Sequence, residues 1–187
     1  VLTTGQRLAA GTTWATYTLA TAITDSPTAV DMVNFNGKLY QAYNSAINRI
    51  HVYPSAGGTH RVVGLATPAT PANPTEAAGS VTDTRKYAVC WTRQESSITV
   101  LRSNLSDQNA TAAVLAAENA TITRPALAGE GETHWELYAF SIADNYALGY
   151  RIATTATGTT TAVDSNATLD PATMAAPPVD GANTPPP

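Results

Sequence analysis

The sequence has few charged residues and no cluster of basic ones. Charged side chains make up 13% of the 187 residues, against about 25% in average soluble domains. The ten Lys and Arg residues are scattered singly, and the formal net charge is −4. Because a nucleic-acid groove needs clustered cations to displace counterions from phosphate, this composition argues against a nucleic-acid partner.

Long apolar runs and paired cysteines are also missing. No run approaches the ~20 apolar residues of a transmembrane helix, so we predict no membrane span. No secretory signal is visible. Cys90 is the only cysteine, which excludes an internal disulfide framework and predicts a small buried hydrophobe. The chain begins Val1-Leu2 and ends on three prolines, so we expect it to be a piece of a longer protein.

Alanine and threonine are abundant, with 34 and 30 residues. Threonine favours strands and turns because its branched β-carbon restricts χ1. Alanine favours helices, but here it is interleaved with Thr, Pro and Gly, which removes the helical period. The composition therefore favours an all-β fold.

Residues 1–66 alternate apolar and polar side chains in short runs, which predicts a β-meander. Asn36-Gly37 is the strongest turn signal, because a type I′ turn needs positive φ at both central residues. Residues 67–75 carry three prolines and predict a stiff linker or an edge strand at a domain boundary. The predicted strands of the meander are 12–20, 29–35, 38–44, 48–54 and 59–65.

Residues 76–172 have the strand number and spacing of an immunoglobulin-like or fibronectin-III-like β-sandwich. Trp91 shares a strand face with Tyr87 and Val89, so we expect it to be buried between two sheets. Residues 106–119 fit either a short helix capped by Ser106-Asp107 or an irregular strand. The predicted strands of this region are 85–94, 97–103, 119–125, 134–140, 149–155 and 159–165.

Residues 173–187 contain five prolines and no strand alternation, which indicates a linker or tail. Such a segment buries too little apolar surface to offset its chain entropy. We therefore expect it to be held by contacts to another chain or domain.

The densest charged stretch is "GEGETHWE", with Glu130, Glu132, His134 and Glu136. The last three lie at i, i+2 and i+4, on one face of a strand, which would suit acid–base chemistry or a metal. A polar loop that leads into a half-buried strand is the favoured interpretation, because no second histidine is near and the zincin motif is absent.

Other candidate sites are weaker. His51 and His60 would face each other across a predicted hairpin at Ser55–Gly58, but two imidazoles without a third ligand make a poor metal site. Neither a nucleophile elbow nor a phosphate-binding glycine loop occurs. We therefore predict no enzyme activity, no catalytic residue, no metal and no cofactor. Tyr40, Tyr43 and Tyr53 suggest a carbohydrate- or protein-binding surface, although packing within the meander is the favoured interpretation.

Two segments resemble known proteins. Residues 33–71, with "NGKLYQAYN" and "RIHVY" as successive blade strands, resemble blades of β-propeller structural proteins of tailed bacteriophages. The segment "RKYAVCWTRQESSITVLRSNLSD" and the strands after it resemble fibronectin-III-like domains inserted in such proteins. The best match in kind is the tail nozzle or neck component of short-tailed phages. One or two blades cannot close a propeller, so the remaining blades would lie outside this chain.

The resemblance implies a non-enzymatic virion structural protein of the phage tail or head–tail junction. Its partners would be other virion structural proteins, in a symmetric homo-oligomer within a larger assembly. Two further hypotheses remain open. One is a cell-surface adhesin or carbohydrate-binding β-sandwich module, and the other is the non-catalytic fragment of a glycosidase whose paired carboxylates lie elsewhere.

Overall fold

The computed structural model describes residues 2–9, 13–23, 30–43, 50–53 and 61–178, with side chains from residue 30 onwards. Within these residues the fold is all-β, as predicted. It contains twelve strands and one short 3-10 helix. Contacts divide the chain into two units, Val1–Val63 with Gly129–Gly131, and Gly64–Ala128 with Glu132–Pro187. Among the described residues, no helix is long and apolar enough to cross a membrane.

The first unit consists of antiparallel hairpins. Strands β1 and β2 pair with each other, and β3, β4, β5 and β6 form a four-stranded sheet in chain order. Asn36 and Gly37 have φ values of 51° and 70°, so the predicted type I′ turn between β3 and β4 is confirmed. β1 was not predicted. The strands are β1 (Leu2–Ala9), β2 (Thr13–Ile23), β3 (Val30–Phe35), β4 (Lys38–Tyr43), β5 (His51–Tyr53) and β6 (Arg61–Val62).

The second unit contains one six-stranded sheet rather than two sheets. Its order is β11-β10-β7-β9-β12, and β8 pairs with the end of β7. The two ends of the sheet, β11 and β12, approach each other, so the sheet curls into a half-barrel. The expected two-sheet immunoglobulin-like sandwich is therefore not confirmed. The strands are β7 (Thr75–Glu95), β8 (Ile98–Arg102), β9 (Ala113–Thr123), β10 (His134–Ser141), β11 (Gly149–Ala156) and β12 (Thr161–Asp164).

The main core lies inside the curl, on the inner face of β7, β9 and β10. Successive side chains of a strand point to opposite faces, so alternate residues of these strands turn inward. Trp91 lies opposite Trp135 and is only 1% exposed. This confirms that Trp91 is buried, but inside one curled sheet and not between two sheets as predicted. Other residues of this core are Tyr87, Val89, Leu101, Leu115, Ile122 and Leu137.

The outer face of β7 and β10 is also buried. Ala88, Cys90, Tyr138 and Phe140 form a second cluster there, with Leu105 and Tyr146 packed against it. Cys90 is fully buried and unpaired, as predicted. The centre of the sheet is therefore covered on both sides, which explains the nearly continuous apolar run in β7.

A segment that is not a strand covers the free edge of β7. The backbone N–H groups of Ser103, Ser106 and Asn109 donate to the carbonyls of Trp91, Val89 and Tyr87, each at 2.9 Å. In return, the side-chain oxygens of the same three residues accept the backbone N–H groups of Trp91, Val89 and Tyr87. Every third residue of the segment thus pairs with every second residue of the strand. The helix considered for 106–119 is wrong, since β9 occupies Ala113–Thr123.

The described residues of both proline-rich stretches belong to the second unit and are hydrogen-bonded within it. In 67–75, the Asn73 side chain accepts the backbone N–H of Thr111 at 3.1 Å. Near the C terminus, the backbone N–H of Arg151 donates to the backbone carbonyl of Ala175 at 2.8 Å. The expectation that the tail is held only by another chain or domain is therefore wrong for residues 173–178. Residues 179–187 lie outside the described part of the chain.

Candidate functional site

Strand β3 exposes apolar side chains on both of its faces. Val30 is 40% exposed, and Met32, Val33 and Phe35 are between 59% and 62% exposed. Among the described residues, β3 pairs only with β4 and so forms one edge of its sheet. An edge strand presents unpaired backbone N–H and C=O groups to solvent. Together with the apolar side chains, this edge has the properties of an interaction surface.

The three tyrosines considered as a binding surface are divided between two faces of the sheet. Tyr40 lies opposite Val52, whereas Tyr53 lies opposite Leu39, the next residue along β4. Tyr43 shares the face of Leu39 and packs edge-on against His51, with ring centroids 5.3 Å apart. All three tyrosines are half-buried. They do not form one platform.

Glu136, one of the predicted site residues, accepts hydrogen bonds from three side chains. It is fully buried on the outer face of β10. Arg102 on β8 donates to both carboxylate oxygens, from Nε and Nη2 at 3.0 Å each. Arg151 on β11 donates from Nη1 to Oε1 at 2.7 Å, and the Tyr138 hydroxyl donates to Oε2 at 2.7 Å. One carboxylate thus holds two arginines that come from opposite sides of β10.

The strand order explains how these side chains meet. β8 and β10 both pair with β7, so the Arg102 side chain crosses β7 to reach Glu136. β7 presents the small residues Ala88 and Cys90 on this face, which leaves room for a guanidinium. β11 is the next strand beyond β10 and brings Arg151 from the other side.

The electrostatics keep Glu136 ionised. Burial alone would raise the pKa of its carboxyl, but hydrogen bonds from Arg102, Tyr138 and Arg151 outweigh burial and hold that pKa below its ordinary value. The bonds to Glu136 raise the pKa of Arg102. Burial, with the charge of Glu136, raises the pKa of Tyr138. Tyr138 therefore stays protonated and serves as a donor.

A pocket of about 490 Å³ lies over this cluster. Arg102, Arg151, Tyr138 and Thr99 form its polar part, while Val100 and the segment 175–178 contribute an apolar wall. The arginine side chains are 37% and 31% exposed, although the carboxylate they hold is inaccessible. The pocket belongs wholly to the second unit.

Of the described residues, the other charged and histidine side chains considered as site candidates do not join the Glu136 cluster. Glu132 and His134 are not bonded to Glu136, and the His134 Nδ1 lies 2.9 Å from the Thr133 hydroxyl. Glu130 groups with the first unit by its contacts. His60 lies outside the described residues. No three His, Cys, Asp or Glu side chains of the described chain come together as a metal ion requires.

Cys90 lies beneath the Glu136 cluster. Its thiol is directed to the carbonyl of Ser103 at 3.2 Å. Burial raises the pKa of this thiol to about 11. Because the thiolate is the reactive form of cysteine, the pKa and the burial make Cys90 a packing residue.

Sequence reasoning did not find Arg102 and Arg151. They lie 34 and 15 residues from Glu136, and no local motif links them. The one available signal was Glu136 itself, a charge between Trp135 and Leu137 in a strand with two apolar faces. A buried charge requires a partner, but the sequence does not say which residue supplies it.

Comparison with family models, with curated proteins and with solved structures finds no match to this chain.

Proposed function

We propose that this protein is a non-enzymatic structural protein of a tailed-phage virion, part of the tail or the head–tail junction. It acts through protein–protein contacts, as a symmetric homo-oligomer that also binds other virion structural proteins. The observation that carries the proposal is the exposed apolar edge strand β3. A long, exposed apolar edge is a liability for a protein that works alone, and it is suited to pairing with another chain.

The four-stranded sheet of the first unit supports the proposed resemblance to propeller blades. A propeller blade is a four-stranded antiparallel sheet, and β3 to β6 form such a sheet in chain order. The fibronectin-III-like assignment of the second unit is also part of the proposal. Its support is the number of strands and the tryptophan core around Trp91 and Trp135.

A second copy of the chain fits the edge of β3. The strand carries a single charged residue, Asp31. Antiparallel pairing of two β3 strands about Met32 or Val33 therefore places no two like charges opposite each other. Such a contact uses the same surface of both subunits and closes under two-fold symmetry.

Sedimentation velocity over a range of protein concentrations tests this contact. We expect the unmodified chain to self-associate and Val33→Asp to reduce that association, since the variant buries a charge in the interface. Val114→Asp is the matched control, because Val114 on β9 is 67% exposed and lies in the other unit. A chain that stays monomeric up to millimolar concentration, or equal effects of the two variants, would contradict the proposed homo-oligomer.

The adhesin or carbohydrate-binding alternative gains no support from the tyrosines on which it was based. A sugar ring stacks on one aromatic platform, whereas Tyr40 and Tyr43 lie on opposite faces of β4. Glycan binding that is lost in Tyr43→Ala would favour that alternative over virion assembly.

A further inference from the structure

We propose that the pocket over Glu136 binds a small organic carboxylate with an apolar body, and that Arg102 and Arg151 hold its carboxylate group. This inference concerns the second unit and goes beyond the assembly function, on which it does not rest.

The charge of the site favours an anion. Arginine is always protonated in proteins, so Arg102 and Arg151 supply two positive charges against the single negative charge of Glu136. None of the described residues that line the pocket is acidic. The site therefore carries a local charge of +1 in a chain whose formal net charge is −4.

Both arginines keep donors for a ligand. Arg102 bonds Glu136 through Nε and Nη2, and Arg151 bonds it through Nη1. Within the described residues the side-chain bonds of these two arginines all go to Glu136, which leaves N–H groups on Arg102 Nη1 and on Arg151 Nε and Nη2. Guanidinium groups match carboxylates by paired N–H donors. Glu136 fixes both guanidiniums in advance, so little side-chain entropy is lost on binding.

The shape and the lining favour an organic ligand over a bare inorganic ion. A volume of about 490 Å³ falls within the range of about 300–1,000 Å³ typical of small-molecule sites. Val100, Ala176, Pro177 and Pro178 supply apolar surface, and proline has no backbone N–H to offer a ligand. An aryl or short alkyl group would displace water from this wall.

Benzoate and its neutral isostere benzamide are the probes for this site. In NMR titrations of the full chain, we expect benzoate to shift the Nε–H signals of Arg102 and Arg151 in a saturable manner. Benzamide is expected to leave these signals unchanged, and added salt to weaken the binding of benzoate. Inorganic phosphate is the probe for a general anion site, because it carries negative charge but has no apolar body. We expect phosphate to bind more weakly than benzoate.

Variants at Val100 test the site without removing a partner of Glu136. Val100 is 41% exposed and lines the pocket together with Arg102. Val100→Asp adds a negative charge at the rim and should weaken benzoate binding about tenfold, whereas the equally sized Val100→Asn should change it less than about twofold. Arg151→Gln should abolish binding, and its urea unfolding curve shows whether the fold is retained.

The proposal is overturned if benzoate and benzamide bind alike, or if neither binds. It is also overturned if phosphate binds as tightly as benzoate, or if Val100→Asp and Val100→Asn have equal effects.

Discussion

The guanidinium Nη1 of Arg85 lies 2.7 Å from Oδ2 of Asp164, and neither side chain is more than 1% exposed. Arg85 belongs to β7 and Asp164 to β12, which are separated by β9 in the sheet. The Tyr87 hydroxyl donates to the same oxygen at 3.0 Å, and Arg85 Nη1 also donates to the carbonyl of Asn166 at 2.8 Å. This pair therefore ties the last strand to the centre of the curled sheet.

Asp164→Ala should lower the free energy of unfolding by about 3–5 kcal/mol, because it breaks a buried ion pair and leaves Arg85 with the partly buried Asp83 as its carboxylate partner. Urea unfolding at neutral pH measures the change. Asp107→Ala is the control, since Asp107 is exposed, and it should have little effect. Equal losses in the two variants would show that the buried pair does not stabilise the fold.

The contribution of ionised Glu136 to the free energy of unfolding should depend on pH. Its pKa in the folded protein is below the ordinary value of 4.5, so the folded state holds fewer protons than the unfolded state near that pH. The stabilisation that the Glu136 carboxylate provides is complete above pH 4.5. It is lost as the pH falls through the pKa of Glu136 in the folded protein. Urea unfolding of the wild-type chain and of Glu136→Gln from pH 7 to pH 3 measures it. Identical slopes for the two proteins below pH 4.5 would contradict this role of Glu136.

A glycine in the turn between β7 and β8 should stabilise the protein. Ser96 and Ser97 have φ values of 51° and 65°, in the left-handed region that costs a non-glycine residue about 1–2 kcal/mol. Ser97→Gly should therefore stabilise the protein by about 0.5–1 kcal/mol, after allowance for the greater chain entropy of glycine. Ser97→Ala keeps the β-carbon and should give no gain. Thermal unfolding of the two variants decides the matter, and a gain from alanine equal to that from glycine would refute the backbone argument.

Gly149 should be required for packing of the C-terminal segment. A β-carbon at this position would lie 2.5 Å from Cγ of Pro177 and 2.6 Å from Cε1 of Phe140. Gly149→Ala should therefore displace residues 175–178, lower the free energy of unfolding by about 1–3 kcal/mol and speed proteolysis near the C terminus. At Gly158 an added β-carbon meets no atom within 4 Å, so Gly158→Ala is the control. Equal proteolysis of both variants would contradict the packing of this segment on β11.

Trp91 should be essential for the core. It is 1% exposed and lies opposite Trp135. Trp91→Ala should lower the free energy of unfolding by about 3–5 kcal/mol, the range for deletion of a large buried aromatic side chain. Ile98→Ala, at a site that is 67% exposed, should have little effect in the same assay. Near-wild-type unfolding of Trp91→Ala would be incompatible with the core described above.

Local sequence signals located most of the described strands. Alternation placed Tyr87, Val89 and Trp91 on one face because side chains of a strand alternate regardless of what lies around them. The Asn36-Gly37 turn was predictable because few residues adopt positive φ. Cys90 was predictable because free cysteine is usually buried. These features depend on the backbone within a few residues.

Tertiary structure alone decided which strands share a sheet and which charges pair. Two sheets and one curled sheet show the same alternation, so the pattern could not separate them. The cover of β7 by Ser103, Ser106 and Asn109 has no strand period, because side-chain oxygens replace half of the usual backbone partners. Glu136 meets Arg102 and Arg151 only because β8 and β10 lie on either side of β7 and β11 lies next to β10. Such contacts depend on strand order, which is a property of the whole unit.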